Sequence, residues 1–470
     1  MFLFSPTPYE FCSYFPQEAF LCIGLLVLLL AGTHPRFSNT GARLALAFLA
    51  LSCVVLALYP SPAVHHLVIT NTSVSWCKLF VSIAFLLVLA IDTYCSPSST
   101  PALVVMGLGF LAMLALLSSN DWFFLFLCIE LLTLSSYCLI GLARTRRALE
   151  AVIKYFAAGA LSACFLLFGI LLLFISTETT SFFAFPATQS TALSFSVFVT
   201  SAMLLKTGAS PFHYWVADAY EGAPSSVTVL LAVTVKLCIF LLLCRILFGP
   251  LFEGSPFWRP LIVVCSGLSI VLGCLGALFQ KRIKRLLAYS SINNVGYGLA
   301  GLSVASLSGL QASIAYMCLY ALSVLLLFSL ILGPSGTKAI TYVSELRRLR
   351  SSNSSAVLSA LVLFSMAGIP PLTGFWIKFF VLYELMTAKL YLLAVIGALG
   401  SVLSSFYYVS LIKVLYFEEG GVSCGSTVNP SFPTPLLSLL AASLFVYPLA
   451  PNAVSHFFGY IASGFLTEFL

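Results

Sequence analysis

The sequence predicts an all-α membrane protein of about fourteen transmembrane helices, with two inverted five-helix repeats that each contain a broken helix. Three observations predict it. Of 470 residues, 60% are apolar and only 8% are charged, about a third of the roughly 25% charged share of a soluble domain. Apolar stretches follow one another almost without pause, at a mean hydropathy of +1.07. Two of these stretches are interrupted by glycine and proline at matching places in the two halves of the chain.

A span needs about 20 apolar residues to cross a hydrocarbon core of about 30 Å. Backbone groups in lipid must bond within the segment, so each run is read as a helix. In chain order the spans are 19–33, 41–59, 76–95, 101–119, 121–143, 150–176 and 191–218, then 223–248, 258–279, 284–304, 309–333, 355–386, 389–417 and 434–467. The longest polar link, about 334–354, leaves no room for a soluble domain. The first eighteen residues hold Glu10 and Glu18 but no Lys or Arg, which fits neither a secretory leader nor a transit peptide. That points to a bacterial cytoplasmic membrane or to an organelle with its own genome. The composition, with 41 Phe and 14 Cys, looks organellar and favours the mitochondrial inner membrane.

The cations orient the chain. With the N-terminus outside, the inward loops carry Arg36 and Arg43; Arg144, Arg146 and Arg147; Lys281, Arg282, Lys284 and Arg285; and Lys338, Arg347, Arg348 and Arg350, thirteen of the 22 basic residues. The outward loops offer Lys389, with Arg245 and Arg259 near their edges. This is the bias of the positive-inside rule, and it places both termini on the outer side.

Charges within spans are the informative residues. Glu130, Lys154, Lys206, Lys236 and Lys378 all fall inside predicted helices, where each costs roughly 2.5–3.5 kcal/mol at a helix centre. Such groups face a bundle interior, pair with one another and line ion or proton paths. Lys154 lies about one turn from the start of its helix, so it also fits a lysine that snorkels to the interface. Spans seven and twelve look broken. In the first, Lys206 precedes Gly208 and Pro211; in the second, Gly368, Pro370, Pro371 and Gly374 precede Lys378. Proline removes a backbone hydrogen bond and frees carbonyls in mid-membrane, which is tolerated only against protein or water. Broken spans at matching places in two halves mark inverted-repeat transporters. Here they are five helices apart, and five is odd, so the second unit is inverted. The expected units are an N-terminal three-helix segment (1–100), repeats at 101–248 and 258–417, and a C-terminal loop with the last span (418–470).

The chemistry expected of these groups is proton movement. Burial drives a lysine to release its proton, and a nearby carboxylate favours keeping it, so small displacements of Glu130 against Lys206 change proton affinity. His213, just past the first break, reads either as a further relay or as a satisfied helix-end histidine. Cysteines sit singly and form no C-x-x-C pair, which makes them small packing residues rather than metal or redox groups. His65, His66, Glu418 and Glu419 read as loop residues. Nucleotide-binding glycine fingerprints, zinc-ligand spacings and catalytic triads are absent from the sequence.

Several stretches resemble the antiporter-like membrane subunits of respiratory complex I, NADH:ubiquinone oxidoreductase, and most of all its chain 2 branch. They are Phe126 to Glu130; Leu149 to Tyr155; Lys206 to Pro224, with its Asp218-x-Tyr220-Glu221-Gly222-Ala223-Pro224 ending; Lys284 to Ile292; and Ala367 to Lys378. The resemblance covers about residues 100–415. It implies that Glu130, Lys206, Lys236 and Lys378 carry protons, with Lys154 auxiliary. It implies partnership with other membrane-arm subunits in the bilayer, no direct NADH binding, no nucleic acid, and no flavin, iron–sulfur or quinone group in this chain. Lysine at 378 fits the chain 2 branch. One departure stands out: relatives often carry histidine where this chain has Asn294, which orients a water but does not titrate. The alternative within the same fold is a free-standing cation/proton antiporter.

Overall fold

A computed structural model describes residues 16–32, 39–58, 63–64, 66–95, 98–332, 340–351, 353–418 and 434–468. Glu10, Arg36, His65, Lys338 and Glu419 lie outside these residues. The helices are α1 Pro16–Gly32, α2 Asn39–Leu58, α3 Thr72–Cys95, α4 Thr100–Ser118, α5 Trp122–Gly141, α6 Arg146–Thr177, α7 Gln189–Thr207 and α8 Tyr214–Gly222. They continue as α9 Ser225–Phe248, α10 Ser255–Leu278, α11 Ile283–Leu302, α12 Leu307–Leu332, α13 Asn353–Ala367, α14 Thr373–Thr387, α15 Tyr391–Tyr416, α16 Thr434–Ala442, α17 Val446–Leu449 and α18 Pro451–Thr467. Each predicted span corresponds to one of these helices or to a broken set of them. Among the described residues the only β-ladder is a two-residue antiparallel ribbon, Ala63–Val64 with Ile69–Thr70.

Among the described residues, ten helices are long and apolar enough to cross a membrane. The other four predicted spans each have a local reason to differ. Helix α1 has 17 residues, and α11 carries Ser290, Ser291, Asn293 and Asn294 through its middle. Span twelve is divided into α13 and α14, as the prolines require. Span fourteen, expected as one long helix, is broken as well. It passes through a 3-10 turn at Ser443–Phe445 and breaks at Ala450, between Pro448 and Pro451, because proline cannot continue the backbone ladder.

Helix starts follow local chemistry. Asp121 caps α5 by accepting the Phe123 and Phe124 amides, and Thr145 caps α6 by accepting Ala148 N–H, which satisfies otherwise orphaned donors. The links gather on two faces. On one, Arg282 bridges to Tyr342, Val343 N–H donates to the Lys281 carbonyl, and Arg350 reaches the Tyr416 carbonyl. On the other, Val68 pairs with Ser119 and Asp121 with Ser181. The cation clusters at 281–285 and 347–350 therefore share a face in space. Helices α9 and α12 form the core, buried over 100% and 94% of their most apolar stretch, so lipid-facing work falls to helices such as α2, α6 and α15.

Candidate functional site

Helix α7 ends at Gly208, which sits in the left-handed region at φ 73° and donates its N–H to Leu204 and Leu205. A Cβ there would strike Val216, so glycine meets both the dihedral and the space. Past the break, Ser210 N–H donates to Ser269 Oγ of α10 at 2.8 Å, and Trp215 Nε1 donates to the Leu205 carbonyl at 3.1 Å. The freed backbone of the broken span is thus satisfied by protein. Lys206 lies in the last turn of α7, where the helix dipole favours a cation.

The second break repeats this arrangement with a different order of residues. Helix α13 ends at Gly368, at φ 89°, and Lys378 follows from α14. Its Nζ donates to the Met366 and Ala367 carbonyls at 2.9 and 3.3 Å and to Ser404 Oγ at 3.3 Å. A lysine thus serves the C-terminal end of the half-helix before each break, from within that helix in one case and from beyond the break in the other. Each break also contains a cis peptide bond, Ser210–Pro211 and Pro370–Pro371.

The buried charges form a series. Glu130 Oε1 of α5 lies 3.8 Å from Lys206 Nζ, beyond hydrogen-bond length, and neither atom has another hydrogen-bond partner. The pair is electrostatic and loosely held, with the lysine deeply buried and the carboxylate side chain 28% exposed. Lys236 of α9 follows a π-helical stretch at Leu231–Val235. Its Nζ donates to Ser291 Oγ of α11 at 2.8 Å and lies 5.6 Å from the Tyr220 ring centroid. Lys236 and Lys378 are 4% and 6% exposed, and neither has a carboxylate within 4 Å among the described residues. They rely on hydroxyls, carbonyls and aromatic faces instead.

Between them lies Asn294. Its Oδ1 accepts the Tyr316 hydroxyl at 2.7 Å, and its Nδ2 donates to the Ser290 carbonyl at 2.7 Å. Ser291 and Asn294 are three apart on α11 and share its face. From Asn294 a cavity of about 20 Å³, bordered also by Tyr316, Tyr320, Ser365 and Thr373, leads to Lys378. That is room for one water, with polar partners on both sides.

Two expected residues stand apart from this series. Lys154 is 40% exposed and bonds Glu150 at 2.6 Å and Asp218 at 2.7 Å, so it is a rim residue rather than a buried one. His213 precedes α8 with its Nδ1 unpartnered, and among the described residues it forms no hydrogen bond or ion pair with Glu130 or a lysine. Sequence reasoning passed over several buried charges. Lys78 pairs with Glu18 at 2.5 Å, with Ser118 Oγ donating to the same carboxylate oxygen. Asp92 faces Arg43, Glu384 accepts from Ser308, and Arg245 holds Glu468 while donating to the Leu117 and Ser119 carbonyls. A charge inside an apolar run marks Lys78, Asp92 and Glu384 in the same way as Lys206, whereas Arg245 stands at a span edge. Among the described residues no group of three or more His, Cys, Asp or Glu side chains converges.

Residues 119–404 match the family model described as NADH:quinone oxidoreductase/Mrp antiporter, TM. The chain is 34% identical over 420 residues to NADH-quinone oxidoreductase subunit N 1 of Acidiphilium cryptum (strain JF-5), covering 85% of this chain and 87% of that protein. It is similar to a chain of respiratory complex I from Thermus thermophilus, solved with bound aureothin, at a TM-score of 0.79 and 26% identity over 94% of this chain and 98% of that one. A chain of the Mrp complex from Dietzia sp. DQ12-45-1b shares the fold at a TM-score of 0.80 and 17% identity, covering 96% of this chain and 98% of that one.

Proposed function

This chain belongs to the NADH:quinone oxidoreductase/Mrp antiporter family of membrane subunits, and on that premise we propose that it is a proton-translocating membrane-arm subunit of an NADH:quinone oxidoreductase. The observation that carries the reading is the buried lysine series, Lys206, Lys236 and Lys378. Each ammonium costs several kcal/mol to bury unless function or pairing repays it, and among the described residues only Lys206 of the three has a carboxylate within 4 Å. Glu130 sets the proton affinity of Lys206 by its distance. Lys236 exchanges protons through Ser291, and Asn294 with one bound water carries the link to Lys378 in place of a titrating histidine. Quinone reduction in partner subunits supplies the energy, and this chain contributes no NADH, flavin, iron–sulfur or quinone site of its own. Lys154 serves the rim.

The chain is a multi-pass membrane protein. Its finer placement on this reading is the mitochondrial inner membrane, argued from composition, with both termini on the outer side, argued from the cation-rich face; the relatives compared are bacterial. Native separation of gently solubilised mitochondrial membranes, stained for NADH oxidation and followed by mass spectrometry, tests this reading. The chain is expected in the active band beside flavin- and iron–sulfur-bearing subunits. Migration without NADH activity, together with sodium-dependent proton exchange in liposomes, overturns it in favour of a free-standing antiporter.

A further inference from the structure

Lys284 sits within the cation cluster at 281–285, yet it does not behave like its neighbours. Arg282 pairs with Glu221, and Arg285 lies 3.9 Å from Asp218 and 3.6 Å from Glu221. These contacts build a rim of alternating charge with Lys154 and Glu150. Lys284 turns the other way. Its Nζ donates to the Ala223 carbonyl at 2.9 Å and to Thr228 Oγ1 at 3.2 Å, at the start of α9, and among the described residues no carboxylate lies within 4 Å of it.

From Thr228 the polar line runs inward. The Thr228 hydroxyl is also within reach of the Tyr220 carbonyl at 3.2 Å. The ring of the same Tyr220 lies beneath Lys236 Nζ. Tyr220 is 1% exposed, and its hydroxyl has no hydrogen-bond partner, a cost of about 1–3 kcal/mol for a buried donor unless water meets it. Lys236 in turn donates to Ser291, seven residues beyond Lys284 on α11. Two helical turns separate those positions by about 10.5 Å. The π-helical stretch Leu231–Val235 falls between Thr228 and Lys236, and such bulges are frequent at functional sites. Tyr220 therefore meets Thr228 through its carbonyl and Lys236 through its ring.

We propose that Lys284 is the proton inlet of the first repeat, taking protons from the Asp218–Glu221 rim and releasing them past Thr228 and Tyr220 to Lys236. This rests on the proton-moving reading above. In each cycle the Lys284 ammonium gives up one proton, which passes by way of the Thr228 hydroxyl to a neutral Lys236, and the Lys284 amine is reprotonated from the rim. No electron moves. A purely structural role, tethering α9 to α11, would need only a cationic donor.

Arginine separates the two roles, because it keeps charge and donors but does not release its proton. Lys284→Arg, Lys284→Met and Lys206→Ala are made in the intact respiratory complex, and NADH-driven proton translocation is measured in vesicles once assembly is verified. Expected for Lys284→Arg is a fall of about a hundredfold, the low end for loss of a proton-transfer group, with a larger solvent deuterium isotope effect. Wild-type translocation by Lys284→Arg overturns the inlet even if Lys284→Met does not assemble. If Lys206→Ala fails to pump while Lys284→Arg pumps, only the inlet falls. Normal pumping by both removes the proton-moving reading itself.

Discussion

At the residue scale, Asn294 is the most informative side chain in the central part of the path. An amide does not titrate, but it holds one donor on Ser290 and one acceptor on Tyr316, beside a cavity sized for water. Asn294→Leu keeps the volume roughly and removes the polarity. It leaves the Tyr316 hydroxyl and a water site unpartnered, each at about 1–3 kcal/mol. Proton translocation by the assembled complex is expected to fall several-fold in Asn294→Leu and to persist in Asn294→His. Unchanged translocation in Asn294→Leu removes this cavity from the path. Glu130, Lys206, Lys236 and Lys378 were legible in the sequence because a charge within an apolar run is a one-dimensional signal. The placement of Lys284 on Ala223 and Thr228 was not. This lysine stands among Lys281, Arg282 and Arg285, and only helical phase and the approach of Ala223 separate it from them. Lys154 was ambiguous for a related reason, since one turn from a helix start suits both a buried group and a rim group. Its two carboxylate partners settle it as rim.

At the element scale, the broken helices were legible because proline and glycine state their own backbone demands. What they do for the lysines was not, because Lys206 precedes its break and Lys378 follows its own. Only the folded chain shows both beside the C-terminal end of a half-helix. Gly208 carries a direct test. At φ 73°, with Val216 against the position of a Cβ, Gly208→Ala combines left-handed strain of roughly 1–2 kcal/mol with overpacking of roughly 1–3 kcal/mol. Thermal inactivation of the assembled complex is expected at a temperature lower by several degrees. An unchanged inactivation profile contradicts the tight packing of this turn. The break in the last span was missed because 434–467 was read as one apolar run, although Pro448 and Pro451 lie in it.

At the scale of the whole molecule, the fold keeps its most buried membrane helices, α9 and α12, away from lipid and sets its buried charges on the helices packed around and within that core. The last helix closes the bundle. It meets the starts of α12 and α3 through Gln311 with Ser455 and Trp76 with Phe457. It then ends with Glu468 bound to Arg245, both 1% exposed. The sequence placed Arg245 at a span edge and offered no sign of its partner, 223 residues away. The Glu18–Lys78 pair is hidden in the same way, because a pairing between distant spans exists only once helices are packed. The helical spans and the two broken helices were legible from composition, periodicity and proline, which are properties of segments rather than of contacts.

The lysine path is tested most directly by the ratio of protons moved to electrons transferred in vesicles carrying an assembled Lys206→Ala complex. Alanine leaves Glu130 without the cation it faces at 3.8 Å and removes the amine that the proposed path needs. A ratio well below that of the wild type, or loss of turnover and pumping together, is the expected result. A wild-type ratio at wild-type turnover contradicts the path.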